Sequence, residues 1–125
     1  MTAHSELPHV LVIDDNQDAT EVLALLIETE GWTVATACTL AQGREQVASR
    51  RPDIVLLDLN LPDGSGITLL SELKADPVTH AIPVVILSGM TDSGVKAQTQ
   101  HLGAADFLAK PFAQERLSSV LRLAH

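Results

Sequence analysis

The 125-residue chain has one cysteine, no tyrosine, one tryptophan and two phenylalanines, and its eight Lys and Arg face sixteen Asp and Glu. A lone Cys38 cannot close an internal disulfide and reads as a small buried hydrophobe. A formal charge of −8 argues against a duplex-binding surface. Affinity for phosphate backbones comes from clustered Lys and Arg, which are scattered here, so nucleic acid is not expected as a direct partner. No apolar run approaches the ~20 residues of a membrane span, and Met1–Val10 lacks the charged start and apolar middle of a secretory signal. No membrane contact is expected, and the cytoplasm is the expected compartment. The five histidines, His4, His9, His80, His101 and His125, show no metal-ligand spacing, so solvated surface positions are expected for them.

What is present is a packed-globule composition, with 46% hydrophobic against 19% charged residues and neither repeats nor low-complexity stretches. One domain over residues 1–125 is expected, with its core at about 8–124 and residues 1–7 disordered. Five short apolar runs occur at Val10–Ile13, Thr33–Ala37, Ile54–Leu57, Pro83–Leu87 and Asp106–Ala109. Three are continuous rather than alternating, as strands covered on both faces would be. Trp32, just before the second run, reads as a packing residue at the opposite edge from the strand carboxyl ends.

Segments of helical period separate the runs. The first spans Gln17–Glu30, with Asn16 as cap, Gly31 as stop, and Val22, Leu25, Leu26 and Thr29 as the inward stripe. The second begins after Thr39, which forms a capping box with Gln42, and runs to about Arg50. The third covers Gly66–Ala75 with Ile67, Leu70 and Leu73 inward. The fifth covers Ala113–Ala124 with Leu117, Val120, Leu121 and Ala124 inward. The fourth, Asp92–Leu102, offers only Val95, Thr99 and Leu102, and is expected to be the loosest. Strict βα alternation implies right-handed crossovers and an α/β, three-layer doubly wound sandwich around a parallel sheet. Such sheets bind ligands outside the carboxyl ends of their strands.

Those ends carry the chemistry. VLVIDDN delivers Asp14 and Asp15, IVLLDLNLPDGSG delivers Asp58, PVVILSG delivers Ser88, and ADFLAKPF delivers Lys110. Taken singly, the acids read as caps or turn residues, Lys110 as a surface lysine and Ser88–Gly89 as an ordinary turn. Taken together on one rim they read differently. With the first and third strands adjacent, three carboxylates converge, and each close pair costs about 4 kcal/mol at an effective dielectric near 20. A cation must sit among them. All-oxygen ligands from rigid strand ends suit Mg²⁺, whereas calcium would want more protein ligands and no EF-hand pattern occurs. Carboxylate, hydroxyl and ammonium together describe a site for an acyl phosphate.

The order DD, DLNLPDGSG, SG and KPF closely resembles the receiver domain of two-component response regulators, from His9 to Leu123. The resemblance implies a (βα)5 fold with strand order 2-1-3-4-5 and Asp58 as the phosphoacceptor, charged by a sensor histidine kinase or a histidine phosphotransfer protein. It further implies Mg²⁺ held by Asp14, Asp15, Asp58 and the Asn60 backbone carbonyl, and phosphoryl oxygens held by Ser88, Lys110 and the Leu59 and Gly89 amides. A cis bond is implied between Lys110 and Pro111. Ser88 and Phe107 fill the two switch positions, and because Phe107 has no phenol, switching there rests on ring packing alone. The implied output is the surface of the fourth helix, fifth strand and fifth helix, controlling a downstream effector, with phosphorylation-dependent homodimerisation as a further expectation. Met90, two residues after Ser88, is expected to slow hydrolysis of the acyl phosphate. A signalling domain rather than an enzyme is expected, and a stand-alone one, since nothing after the fifth helix is long enough for an output domain.

Three other functions compete. An aspartate-nucleophile phosphohydrolase resembling the haloacid-dehalogenase family would need an acid where Asn60 stands. A flavodoxin-like binding module would need a Ser/Thr/Gly phosphate loop where DDNQD stands. A receiver-like scaffold working without phosphorylation has no reason to fill all five chemical positions.

Overall fold

The apolar runs at Val10–Ile13, Ile54–Leu57 and Val84–Leu87 are entirely buried, because helices cover both faces of the sheet that contains them. The computed structural model describes residues 8–89, 93–110 and 113–124. The strands are β1 (His9–Ile13), β2 (Thr33–Ala37), β3 (Ile54–Asp58), β4 (Asn60–Leu61), β5 (Gly64–Ser65), β6 (Val84–Ser88) and β7 (Asp106–Ala109). The helices are α1 (Gln17–Thr29), α2 (Leu40–Ser49), α3 (Gly66–Ala75), α4 (Ser93–His101) and α5 (Gln114–Leu121), the last followed by a 3₁₀ turn at Arg122–Ala124. The five long strands are parallel in the order β2-β1-β3-β6-β7. This is the expected order 2-1-3-4-5 once the hairpin β4–β5, which was not anticipated, is set aside.

Alternating strand residues feed two core layers. Leu11, Ile13, Val55, Leu57, Val84, Ile86 and Phe107 pack with Leu69, Leu70 and Leu73 of α3. Val10, Val12, Ile54, Leu56, Val85, Leu87 and Leu108 pack with Leu23 and Ile27 of α1 and Leu117, Val120 and Leu121 of α5. Trp32 joins the second layer, directly before β2, whose first residue Thr33 pairs with His9 at the start of β1.

The N-caps at Asn16 and Thr39 form as expected, but the Thr39–Gln42 capping box does not close. The Asn16 side chain accepts from the Ala19 N–H, and Thr39 accepts from the Gln42 N–H. The reciprocal Gln42 Oε1 accepts from Cys38 rather than from Thr39 itself. Gly31 has φ +91°, the left-handed turn that stops α1. α5 begins at Gln114 with Ala113 as a cap lacking any side-chain bond.

Several expectations need correction. Thr20, Leu23 and Ile27 are the buried residues of α1, whereas Val22 is 59% exposed and Leu25 63% exposed. The helix carries two neighbouring apolar stripes, and periodicity cannot rank them. The Thr20 hydroxyl donates to the Asn16 carbonyl at 2.8 Å and reaches the Asp14 carbonyl at 3.4 Å, which sets the rotation of the helix on the sheet. In α3, Leu69 is buried with Leu70 and Leu73, while Ile67 is only half-buried. His9 is not a surface histidine but 6% exposed. Its ring Nδ1 lies 2.8 Å from the Thr33 hydroxyl, and its backbone N–H donates to Asp53 at 2.7 Å. His80 and His101 are exposed as expected, and Cys38 is half-buried rather than buried. In α4 Thr99 is fully buried, and its hydroxyl donates to the Val95 and Lys96 carbonyls. Val95 and, just after the helix, Leu102 are half-buried, so among the described side chains of α4 Thr99 alone is fully buried, in keeping with a sparsely anchored helix.

Candidate functional site

β1, β3 and β6 run side by side in the same direction, so the residues that close them share one rim of the sheet. Asp14 follows β1 directly, and its backbone N–H is fixed by the Ala37 carbonyl at the end of β2. Its side chain turns back to accept from the Asn16 N–H at 3.0 Å. Asp58 ends β3 and makes the same kind of turn, accepting from the Asn60 N–H at 3.0 Å. Both carboxylates are therefore locked by their own loops.

Asp14, Asp15 and Asp58 each offer an oxygen within 4.8 Å of the other two. Asp14 is buried at 2% exposure, Asp58 is half-buried and Asp15 is exposed. The Lys110 ammonium enters from the end of β7, 2.6 Å from Asp14 and 3.4 Å from Asp58. Its backbone N–H donates to the Ser88 carbonyl at 2.7 Å, so the ends of β6 and β7 are tied together at the rim.

The charges respond in opposite directions. Burial pushes the Asp14 carboxyl up, but the short Lys110 bond, the Asn16 amide and the Lys110 charge together hold it below the ordinary carboxylate value. Burial also pushes Asp58 up, and there the Asn60 amide and the longer Lys110 contact fail to offset it against the repulsion of Asp14, so Asp58 lies above the ordinary value. Lys110 loses basicity to burial and regains more from the two carboxylates, ending above its ordinary value. Asp58 is thus the more basic carboxylate of the pair, which suits a nucleophile.

The donor set fits a divalent cation. Among the described residues Lys110 is the cation that reaches the cluster, and three carboxylates against one ammonium leave two negative charges unmatched. Hard oxygen ligands at rigid strand ends match the preferences of Mg²⁺. Asn60, whose backbone carbonyl completes the expected set, is exposed in the loop directly after Asp58.

Of the other expected residues, Ser88 is buried at the end of β6, Gly89 follows it, and Leu59 lies between Asp58 and Asn60. Phe107 is buried at 8% exposure in the core layer against α3. Pro111 and Met90 lie outside the described residues, and the expectations about the cis bond and hydrolysis fall there.

Gly66 escaped the sequence reading. A Cβ on Gly66 would stand 2.3 Å from the Asp58 carbonyl oxygen and 3.0 Å from Leu59 Cα. The Gly66 N–H donates to the Leu59 carbonyl at 2.8 Å, so the start of α3 rests directly on the backbone beside Asp58. The only signal was the second Gly of DGSG, which reads equally well as a loop residue.

Residues 10–122 match the family model for the response regulator receiver domain. The KDP operon transcriptional regulatory protein KdpE of Escherichia coli is 36% identical over 118 residues, covering 94% of this chain and 51% of that protein. A Mycobacterium tuberculosis transcriptional regulatory protein KdpE is 40% identical over 115 residues, covering 92% and 50%. The chain spans about half the length of these curated relatives. The crystal structure of a putative response regulator from Chloroflexus aurantiacus superposes with a TM-score of 0.90 at 29% identity, covering 96% of this chain and all of that one. The receiver domain of NtrX from Brucella abortus gives 0.84 at 32% identity, covering 92% and 96%. No helix among the described residues is long and apolar enough to cross a membrane. With its motifs on one rim, its acidic cluster and a family match over nearly its whole length, the chain belongs to the response regulator receiver domains of two-component signalling.

Proposed function

We propose that Asp58 accepts a phosphoryl group from the phosphohistidine of a sensor kinase or phosphotransfer protein, in a Mg²⁺-dependent reaction that biases the α4–β7–α5 surface. The observation that carries this reading is the triangle of Asp14, Asp15 and Asp58 with Lys110 bound to two of its three corners. An Asp58 oxygen forms the new O–P bond as the P–N bond to the donor imidazole breaks, and the imidazole leaves with its electron pair and takes up a proton. Asp14, Asp15, Asp58 and the Asn60 carbonyl would hold Mg²⁺, which when bound supplies positive charge against the phosphoryl oxygens. Lys110, which already spans Asp14 and Asp58, takes a further oxygen, and Ser88 and the Leu59 and Gly89 amides complete the cradle. The protein acts as a signalling domain in the cytoplasm, catalysing only its own phosphorylation and dephosphorylation.

The donor approaches over α1. Val22 and Leu25 are exposed, and a groove of about 460 Å³ lined by Ala19, Val22 and Leu26 runs to Asp14 and Lys110. An apolar helix face of the donor seated there would bring its histidine to Asp58. On the output side, Arg116 of α5 clasps β7 through Asp106 at 2.8 Å and the Phe107 carbonyl at 3.1 Å. Movement of Phe107 is thereby passed to α5, and the sparsely anchored α4 is free to follow. The expectation that nucleic acid is not a direct partner is not confirmed, since the E. coli and M. tuberculosis relatives are by name transcriptional regulatory proteins.

Incubation with acetyl phosphate, with and without Mg²⁺, followed by intact mass, tests the reading. One phosphate should be gained only with Mg²⁺, and none in Asp58→Ala. Uptake that survives in Asp58→Ala overturns it by placing the acceptor elsewhere, and no uptake by the parent chain overturns it in favour of the phosphorylation-independent scaffold.

A further inference from the structure

The loop after Asp58 is held at its tip by α2. Its two short strands pair Asn60 with Ser65 and Leu61 with Gly64, leaving Pro62 and Asp63 at the turn. The two Asp63 carboxylate oxygens accept from the first two amides of α2, Leu40 at 2.8 Å and Ala41 at 3.1 Å. Thr39 accepts from the third amide, Gln42, so the start of α2 has two separate caps, one from the residue that precedes it and one from the loop that carries Asn60. Gly64 is at φ +147°, and a Cβ there would stand 3.0 Å from Leu40 Cδ1, so hairpin and helix also touch closely beside the bond. The Leu40 amide, against a weaker opposing effect of burial, holds the Asp63 carboxyl below its ordinary value, and the fork stays charged at neutral pH.

We infer that Asp63 is a positioning residue for the phosphoryl site, fixing the β4–β5 hairpin on α2 so that the Asn60 carbonyl is presented to the metal next to Asp58. Asn60 and Asp63 are three residues apart on a hairpin whose base is tied to β3 by the Asn60 N–H to Asp58 and to α3 by the Gly66 N–H to Leu59 and the Ser65 hydroxyl accepting from the Ile67 N–H. Leu59 and Leu61 bury the underside of this loop, and the Asp63 fork is the polar bond that fixes its tip from outside. Loss of a group that orients a metal ligand typically weakens metal binding about tenfold or more.

This inference rests on the proposed metal site, and its test separates the two. Mg²⁺ affinity by calorimetry and the acetyl-phosphate rate at saturating Mg²⁺ are compared in the parent chain, Asp63→Ala, Asp63→Asn and Thr39→Ala, all under conditions where each is folded. Thr39→Ala removes the other cap of α2 and controls for simple loss of helix stability. Asp63→Ala should bind Mg²⁺ about tenfold more weakly with a smaller loss of rate at saturation. Asp63→Asn, which keeps one acceptor, should recover much of the affinity, and Thr39→Ala should match the parent. Equal Mg²⁺ affinity in Asp63→Ala and Thr39→Ala overturns the assignment and leaves Asp63 a helix cap. Without metal, exchange of the Asn60 amide should be faster in Asp63→Ala than in Thr39→Ala, and equal exchange overturns the assignment even where the parent takes up no Mg²⁺. Failure of the parent to bind Mg²⁺ at all condemns the metal reading instead.

Discussion

The Lys110 ammonium stands 2.6 Å from Asp14, a carboxylate that is almost wholly buried. Deleting that ammonium strands a buried charge, so Lys110→Met should lose about 1–3 kcal/mol of stability at neutral pH without Mg²⁺. Urea unfolding reads the loss, and millimolar Mg²⁺ should restore part of it by meeting the same carboxylates. A variant as stable as the parent in both conditions would show that the pair contributes nothing to the fold.

Asp58 behaves in the opposite sense. Its carboxyl lies above the ordinary 3.8, so the fold holds its proton more tightly than the unfolded chain does. The stability it contributes is complete below pH 3.8 and vanishes as pH rises through the folded value. At neutral pH its charge works against the fold. Asp58→Asn should therefore be more stable than the parent at pH 7 without Mg²⁺, by about 1 kcal/mol. Near pH 3.8 the difference should shrink, and added Mg²⁺ should stabilise the parent more than the variant.

At the far end of β1, burial lowers the pKa of His9 below 6.5, with Arg50 reinforcing the shift and Asp53 opposing it. A neutral buried imidazole contributes stability fully above pH 6.5, and that contribution falls as the unfolded chain takes up protons below it. Between pH 7.5 and 5.5 the parent should lose stability with a slope of at most about 1.4 kcal/mol per pH unit from this group. His9→Asn should show a flatter profile in urea midpoints, and an unchanged slope would assign the effect to other groups.

Two glycines should respond unequally to alanine. At Gly66 the new methyl meets the Asp58 carbonyl at 2.3 Å, which only movement of α3 or β3 can relieve. At Gly43 the nearest atom, 2.8 Å away, is the tip of the Ile13 side chain, which can rotate. Gly66→Ala should cost about 3 kcal/mol and slow phosphate uptake, whereas Gly43→Ala should cost about 1 kcal/mol. Equal costs would mean that the start of α3 yields more easily than its contacts imply.

On α1, Val22→Asp with Leu25→Asp should leave stability within about 0.5 kcal/mol and leave acetyl phosphate uptake unchanged, because both side chains are exposed. Transfer from a phosphohistidine protein should fall by an order of magnitude or more, since only that donor needs the face. Undiminished transfer would place the docking surface elsewhere.

Strand positions and the site were legible in the sequence for one reason: parallel strands buried on both faces leave uninterrupted apolar runs, and polar residues at their carboxyl ends stand out. Asp14, Asp15, Asp58 and Lys110 are brought together by that logic alone. The outer face of α1 was not legible, since Val22 and Leu25 keep helical spacing as faithfully as Leu23 and Ile27, and the choice between them is made by Thr20 against the β1 loop. Asp63 and Gly66 were missed because their partners are backbone atoms of other segments, Leu40 in one case and Asp58 in the other. His9 was misjudged because its burial depends on Thr33 and Asp53, 24 and 44 residues away.

Trp32 sits where the strands begin, while Asp58 sits where they end, a separation of roughly 15 Å at about 3.3 Å per residue. With no tyrosine in the chain, ultraviolet emission comes almost wholly from this one indole. Its fluorescence should report melting of the α1 side of the core and stay silent to events at the opposite rim. The molecule thus carries its own optical thermometer, readable in the same cuvette in which a phosphodonor is reacting.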